Sequence, residues 1–172
     1  NSMTYCVGLK LDRGLVMAAD TRTNAGLDNI ATFRKLQTFE VPGERVFILL
    51  SAGNLAVTQA VVALLEEKFE HPDVDDEAGS KTCGRNIKNS SPGPRGRGVE
   101  QRCVFGLVHF RRTDQQGSPR LYQIYSEGNF IEAKHDTPFF QIGEHKYGKP
   151  ILDRVANQKM RLGEAAKLVL LS

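Results

Sequence analysis

Cysteine is scarce in this sequence, and the long apolar runs and charge excesses that mark several protein classes are missing. The 172 residues include three cysteines, whose spacing fits no metal or redox motif, so reduced structural thiols are the simplest interpretation. No apolar run reaches the roughly 18 residues of a membrane-spanning helix. The net charge of +3 is too small to indicate nucleic-acid binding. We therefore expect a cytoplasmic protein that binds neither membranes nor nucleic acids.

Cofactor motifs are also absent from the sequence. It contains no glycine-rich phosphate loop, no recognisable ATP site and no group of residues at metal-ligand spacing. The four histidines lie near no serine or cysteine elbow motif. We predict a protein without metal or cofactor. An ATP-driven partner would have to be another chain, which the sequence does not identify.

The length of 172 residues predicts a single domain over residues 1–172, large enough to bury a sizeable core. Residues 1–3 (Asn-Ser-Met) resemble the remains of an expression tag, with Met3 as the natural initiator. A helix predicted up to the last residue indicates that the domain is incomplete at its C-terminus. Residues 90–100 are rich in glycine and proline, which predicts a flexible loop; a misread stretch of the gene is the alternative.

The opening stretch of the sequence predicts a β-hairpin. Two apolar runs, Thr4–Leu11 and Gly14–Asp20, flank a short turn, and apolar and other residues alternate along the first run. In an antiparallel pair, the start of one strand lies beside the end of the next. The hydroxyl of Thr4 and the carboxylate of Asp20 are therefore predicted to be neighbours. A later return of the chain could bring Lys35 close to both.

Strand and helix patterns alternate along the rest of the chain. The apolar run Arg45–Ala52 predicts a buried strand, Gly53 a tight turn and residues 55–69 a helix. That helix would bury one stripe, made of Leu55, Thr58, Val62, Leu65 and Phe69. Further strands are predicted near 35–39 and at 103–110, 120–125, 130–133 and 137–142, with helices at 147–156 and 162–171. This order predicts an α+β fold.

The residues around the hairpin resemble the proteasome β-subunit family. The shared features are a threonine that opens the first strand, an Ala-Asp-x-Arg-x-x-x-Gly stretch, a lysine and an Ala-Gly turn. In this sequence they are Thr4, Ala19, Asp20, Arg22, Gly26, Lys35 and Ser51–Gly53. The segments SAGNLA at 51–56 and GNFIEA at 128–133 are most similar to Anbu, a bacterial branch of that family. The resemblance implies a four-layer αββα sandwich of the N-terminal-nucleophile hydrolases.

The resemblance also implies a threonine-type peptidase. The Thr4 hydroxyl would attack an amide carbonyl, and the α-amine of Thr4, with a reference pKa of about 7.7–8.0, would serve as base. Lys35 would stabilise the alkoxide and Asp20 would hold Lys35. The backbone N–H of Gly53 would donate to the oxyanion. As written, Thr4 follows Met3, so its nitrogen is an amide and the mechanism requires removal of residues 1–3.

The family also suggests where a substrate binds and how the subunits assemble. Thr23 and Asn24 are candidate substrate-binding residues, and the backbone at Asn24 could pair with an extended peptide. Glu144 stands where the family often has a serine near the nucleophile, which would alter the charge at the site. We expect self-association into a ring or helical oligomer.

Two other functions stay open at this point. The chain could be a non-catalytic ring subunit, or it could hydrolyse small amides on the same fold. Taken singly, Thr4, Asp20 and Lys35 have ordinary explanations as a strand residue, a turn former and a solvated cation. Their joint occurrence with the Gly53 turn favours the catalytic interpretation.

Overall fold

The computed structural model describes residues 4–21, 34–69, 102–109, 118–143 and 146–172, together with Arg85 and Lys88. The predictions for residues 1–3 and 90–100 lie outside these residues. The strands are β1 (Tyr5–Leu11), β2 (Gly14–Ala19), β3 (Leu36–Val41), β4 (Arg45–Ala52), β5 (Arg102–His109), β6 (Arg120–Ile124), β7 (Phe130–Glu132) and β8 (Phe139–Gly143). The helices are α1 (Leu55–Phe69), α2 (Gly148–Val155) and α3 (Leu162–Leu171).

The strands form two antiparallel sheets. The first has three strands in the order β2-β1-β8, and the second has five in the order β3-β4-β5-β6-β7. The predicted hairpin is present, with Cys6 opposite Ala19 and Leu11 opposite Gly14. On its other edge, β1 pairs with β8, so that Tyr5 lies opposite Gly143. The strand β1 is therefore central in its sheet and its first residues are held from both sides.

Three apolar layers hold the fold together, and the alternation of side chains along each strand creates them. Val7, Leu9 and Leu11 of β1 pack towards the α2 and α3 layer. Cys6, on the opposite face of β1, packs with residues of the second sheet. The outer face of the second sheet packs against α1. The order of layers is helix, sheet, sheet, helix, which confirms the predicted αββα sandwich.

The buried stripe of α1 differs from the prediction. Thr58 and Leu65 are buried as expected, but the other fully buried positions are Val57 and Val61. Leu55 and Val62 are only partly buried. The buried stripe of the helix therefore centres on Val57, Val61 and Leu65, which follow one another at i and i+4 spacing. On α3 the buried residues are Ala165, Leu168 and Val169, as predicted.

None of the helices in the described part of the chain combines the length and the apolar character that crossing a bilayer requires.

Candidate active site

Thr4 and Asp20 are neighbours, as the hairpin predicted. The backbone N–H of Tyr5 donates to Oδ1 of Asp20 at 2.8 Å, and the backbone N–H of Asp20 donates to the carbonyl of Tyr5 at 2.9 Å. This reciprocal pair fixes the Asp20 carboxylate beside the peptide that follows Thr4. The open end of the hairpin therefore holds Asp20 and the start of β1 in a fixed position.

Lys35 connects Asp20 to the hydroxyl of Thr4. Its Nζ donates to both carboxylate oxygens of Asp20 at 2.8 Å and to Oγ1 of Thr4 at 3.4 Å. Only 7% of the Lys35 side chain is exposed, and a buried cation is stable only when it is paired. The backbone is also held, because the N–H of Ser51 donates to the Lys35 carbonyl at 3.0 Å. The arrangement aims a fixed positive charge at the threonine oxygen.

Gly53 forms the predicted turn between β4 and α1. It has a φ of 132°, a left-handed region that favours glycine. Asn54 caps the helix, since its Oδ1 accepts from the backbone N–H of Ala56 at 2.9 Å. The turn thus follows the strand that holds Lys35, and it stands at a helix N-terminus, where backbone N–H groups favour negative charge.

Cys6 is the other nucleophilic side chain near the start of β1, and its surroundings make it inert. The side chain is fully buried and its Sγ lies 3.8 Å from the carbonyl oxygen of Ser51. Burial raises the pKa of the Cys6 thiol to about 12, although the nearby Lys35 charge acts in the opposite direction. A thiol with that pKa stays protonated at neutral pH, and the thiolate is the reactive form. The hydroxyl of Thr4, which accepts from Lys35, is therefore the candidate nucleophile at this end of the hairpin.

Gly143 directly follows the strand predicted at 137–142, and the sequence patterns assigned it no role in the site. It is the last residue of β8, has a φ of 99° and pairs with Tyr5. A Cβ atom on Gly143 would overlap the carbonyl oxygen of Thr4. The backbone of Gly143 therefore fixes the peptide of Thr4 at close range. The only signal in the sequence was a glycine after an apolar run, which does not reveal a contact between distant strands.

We expect Gly143→Ala to displace Thr4 and to lower any Thr4-dependent turnover by about 10²-fold, because misplacement of a catalytic group by about 1 Å has an effect of that size. Backbone strain should lower the free energy of unfolding by about 1–3 kcal/mol. Gly43→Ala is the matched control, since Gly43 has a φ of 73° and its Cβ would meet nothing within 4 Å. Kinetics and thermal melting of both variants test this. Equal turnover in the two variants would contradict the positioning role.

A pocket of about 640 Å³ lies beside this group and is lined by residues 19–21 and 34–38. Asp20 and Lys35 form part of its wall, and Nζ of Lys35 lies 3.4 Å from the Thr4 hydroxyl oxygen. The predicted substrate residues Thr23 and Asn24, and also Glu144, lie outside the described residues. Within the described ranges, no cluster of histidine, cysteine or carboxylate side chains could hold a metal ion.

Comparison with known proteins gives matches among solved structures, whereas no family model and no curated protein matches the chain. An Anbu (Gly-1) mutant from Hyphomicrobium sp. strain MC1 is 54% identical, with a TM-score of 0.80 over 97% of this chain and 71% of that protein. Anbu (ancestral beta-subunit) from Yersinia bercovieri is 41% identical, with a TM-score of 0.83 over 97% and 72%. A helical assembly of the Anbu complex from Pseudomonas aeruginosa is 41% identical, with a TM-score of 0.80 over 97% and 72%.

Proposed function

The chain belongs to the Anbu branch of the proteasome-like N-terminal-nucleophile hydrolases, and we propose that it is a threonine-type peptidase whose nucleophile is Thr4. One observation carries the proposal. The buried ammonium group of Lys35 lies 2.8 Å from both oxygens of Asp20 and 3.4 Å from the Thr4 hydroxyl oxygen. An alkoxide forming on Thr4 would meet a positive charge that is already fixed and largely desolvated, so little reorganisation is needed when the charge develops.

The proposed reaction has two halves. In the first, Oγ1 of Thr4 bonds to the carbonyl carbon while the free α-amine of Thr4 takes the hydroxyl proton, directly or through one water. The Gly53 N–H donates to the resulting oxyanion. Collapse breaks the carbon–nitrogen bond, and the leaving amine takes the proton from the α-ammonium group. In the second half, water adds to the ester carbonyl while the same amine takes a proton from it. Collapse breaks the bond between the acyl carbon and Oγ1, Oγ1 takes that proton back, and the acid product leaves.

The α-amine is the essential base in this scheme. Lys35 is bound to Asp20 as a cation and serves as a donor, so it does not accept the proton. Its positive charge also disfavours a second charge on the amine, which keeps part of the amine neutral near pH 7. The amine exists only when Thr4 is the first residue of the chain. The proposal is tested by assaying a fluorogenic peptide amide with protein that begins at Thr4.

Hydrolysis of small amides is the second candidate, and the pocket favours it as an alternative. Its volume of about 640 Å³ is in the range of small-molecule sites, roughly 300–1,000 Å³. A series of amides from one to six residues separates the two functions. A peptidase gains kcat/KM with each added residue, because remote binding energy lowers the barrier, whereas an amidase does not.

A purely structural subunit is the third candidate. It would have no need of a cation buried beside Thr4, because burying a cation costs desolvation energy.

We also propose that the chain self-associates, with the outer face of α2 as one contact surface. Tyr147, Ile151 and Val155 recur every four residues and remain 69%, 39% and 48% exposed. A stripe of this kind on a surface helix is typical of a buried interface. The Pseudomonas relative forms a helical assembly.

We expect light scattering on micromolar protein to give a mass above that of the 19.1 kDa chain. Ile151→Glu should shift the population towards the monomer, because it places a charge in the apolar contact. Asn129→Glu adds the same charge at an exposed turn between β6 and β7 and serves as control. A strict monomer, or equal masses for the two variants, would contradict this surface.

A further inference from the structure

We propose that the pocket beside Thr4 selects substrates that carry an acidic side chain on the residue whose carbonyl is attacked, with Arg34 as the specificity-determining residue. The inference rests on the proposed function, because it assigns the substrate class of the same site. It depends on the position of the pocket, on its charge and on the way the backbone of Arg34 is held.

The pocket is close enough to the nucleophile to receive that side chain. Lys35 belongs to its wall, and Nζ of Lys35 lies 3.4 Å from Oγ1 of Thr4. A peptide advances about 3.3–3.6 Å per residue, so the side chain of the residue whose carbonyl meets Thr4 is the one nearest to the Lys35 part of the wall. The preceding residue of the substrate lies about one residue length further from Thr4.

The charge of the pocket is positive among the residues that the structure describes. The carboxylate of Asp20 is held through both oxygens by Lys35 and also accepts the N–H of Tyr5, so these two charges match each other. Arg34 is the other charged residue of the described wall, and it is exposed. No described carboxylate forms an ion pair with it. An incoming carboxylate could therefore pair with the guanidinium group without displacing a carboxylate of the described residues.

The backbone of Arg34 is fixed, and the residue is exposed on the wall of the pocket. The carbonyl of Arg34 accepts from Nε2 of Gln37 at 3.0 Å, and the next carbonyl, on Lys35, accepts from the N–H of Ser51 at 3.0 Å. A guanidinium group offers paired donors that match the two oxygens of a carboxylate. Thr21 and Thr38 add hydroxyl groups to the same wall. Ala19 and Leu36 add apolar surface to the same wall, so an acidic side chain would place its carboxylate at these donors and its methylene groups against the apolar part.

The test compares fluorogenic tetrapeptide amides that differ only at the residue before the amide: Glu, its neutral isostere Gln, Leu or Lys. With protein that begins at Thr4, kcat/KM should be about three- to tenfold higher for Glu than for Gln, the range for a charge-assisted pair at a partly exposed site. The ratio should fall as salt screens the pair. Arg34→Gln should reduce the ratio to about one, and Arg34→Glu should reverse the preference towards Lys.

Arg13→Gln is the matched control. It removes the same charge as Arg34→Gln, and Arg13 lies in the exposed turn at the opposite end of the β1–β2 hairpin. It should leave the Glu to Gln ratio unchanged. A ratio that stays the same in Arg34→Gln, or changes equally in Arg13→Gln, would overturn the inference.

A binding measurement separates this inference from the proposed function. The probes are acetyl-Ala-Ala-Ala-Glu-amide and its Gln counterpart, titrated by calorimetry into full-chain Thr4→Ala protein, which cannot form the ester. Tighter binding of the Glu probe that Arg34→Gln removes supports the pocket assignment even if no amide is hydrolysed by the unsubstituted protein. Hydrolysis without a Glu preference leaves the proposed function standing and overturns the assignment. Equal binding of both probes, or binding of neither, also overturns it.

Discussion

Thr4→Ala protein whose chain begins at residue 4 should hydrolyse a fluorogenic peptide amide on the order of 10⁶-fold more slowly than the unsubstituted protein, as when a catalytic serine is removed. Alanine has no oxygen to attack the carbonyl, so the ester cannot form and the splitting of the reaction into two easier steps is lost. The fold should be intact, because the substitution removes only a methyl group and the hydroxyl that contacts Lys35 at 3.4 Å. Circular dichroism and thermal melting check the fold, and initial rates check the activity.

Thr4→Ser is the control for this substitution. It keeps the oxygen in place and removes only a methyl group, so turnover should be retained. Mass spectrometry after mixing with a slowly released substrate should detect an acyl adduct on the unsubstituted protein and on Thr4→Ser, but not on Thr4→Ala. Undiminished hydrolysis by pure Thr4→Ala protein would assign the nucleophile to another residue. Cys6 is not a suitable alternative nucleophile, since burial raises the pKa of its thiol to about 12.

Local patterns predicted most of the fold because the governing contacts are local. The bounds of β4, α1 and α3 agree with the predictions, since each is a long apolar or periodic run ended by a clear signal. The pairing of the start of β1 with the end of β2 followed from a short turn. The family resemblance, confirmed by the solved Anbu structures, supplied the order of layers.

The parts of the site that local patterns missed depend on contacts between distant segments. Local patterns allowed the approach of Lys35 to Asp20 and Thr4 but did not require it, because a loop separates them in sequence; the family resemblance supplied the reason to expect it. The contact of Gly143 with Thr4 joins two segments that are far apart in sequence, through the pairing of β1 with β8. The wrong stripe on α1 has a similar cause, because the sheet beneath a helix decides which of two overlapping apolar faces is buried. Thr23 and Asn24 stay predictions.

Removal of residues 1–3 should increase peptide-amide hydrolysis by roughly 10²–10⁴-fold, the usual contribution of general acid–base catalysis. With Met3 in place, the nitrogen of Thr4 is an amide, whose lone pair is delocalised and takes no proton near neutral pH. Without it, the same nitrogen is an amine with a reference pKa of about 7.7–8.0. The neutral amine is the base, so activity should be low at a pH below the pKa of the amine and should rise as the pH increases through that pKa.

The most direct measurement is a comparison of three preparations of confirmed mass: the chain with residues 1–3, the chain that begins at Thr4, and the latter with its amine acetylated. All three carry the same Thr4 hydroxyl, Lys35 and Asp20, so they differ in the base alone. The proposed mechanism predicts that only the chain with a free Thr4 amine hydrolyses the fluorogenic peptide amide. Equal hydrolysis by the three preparations would contradict the α-amine as base, and with it the assignment of this chain as an N-terminal threonine hydrolase.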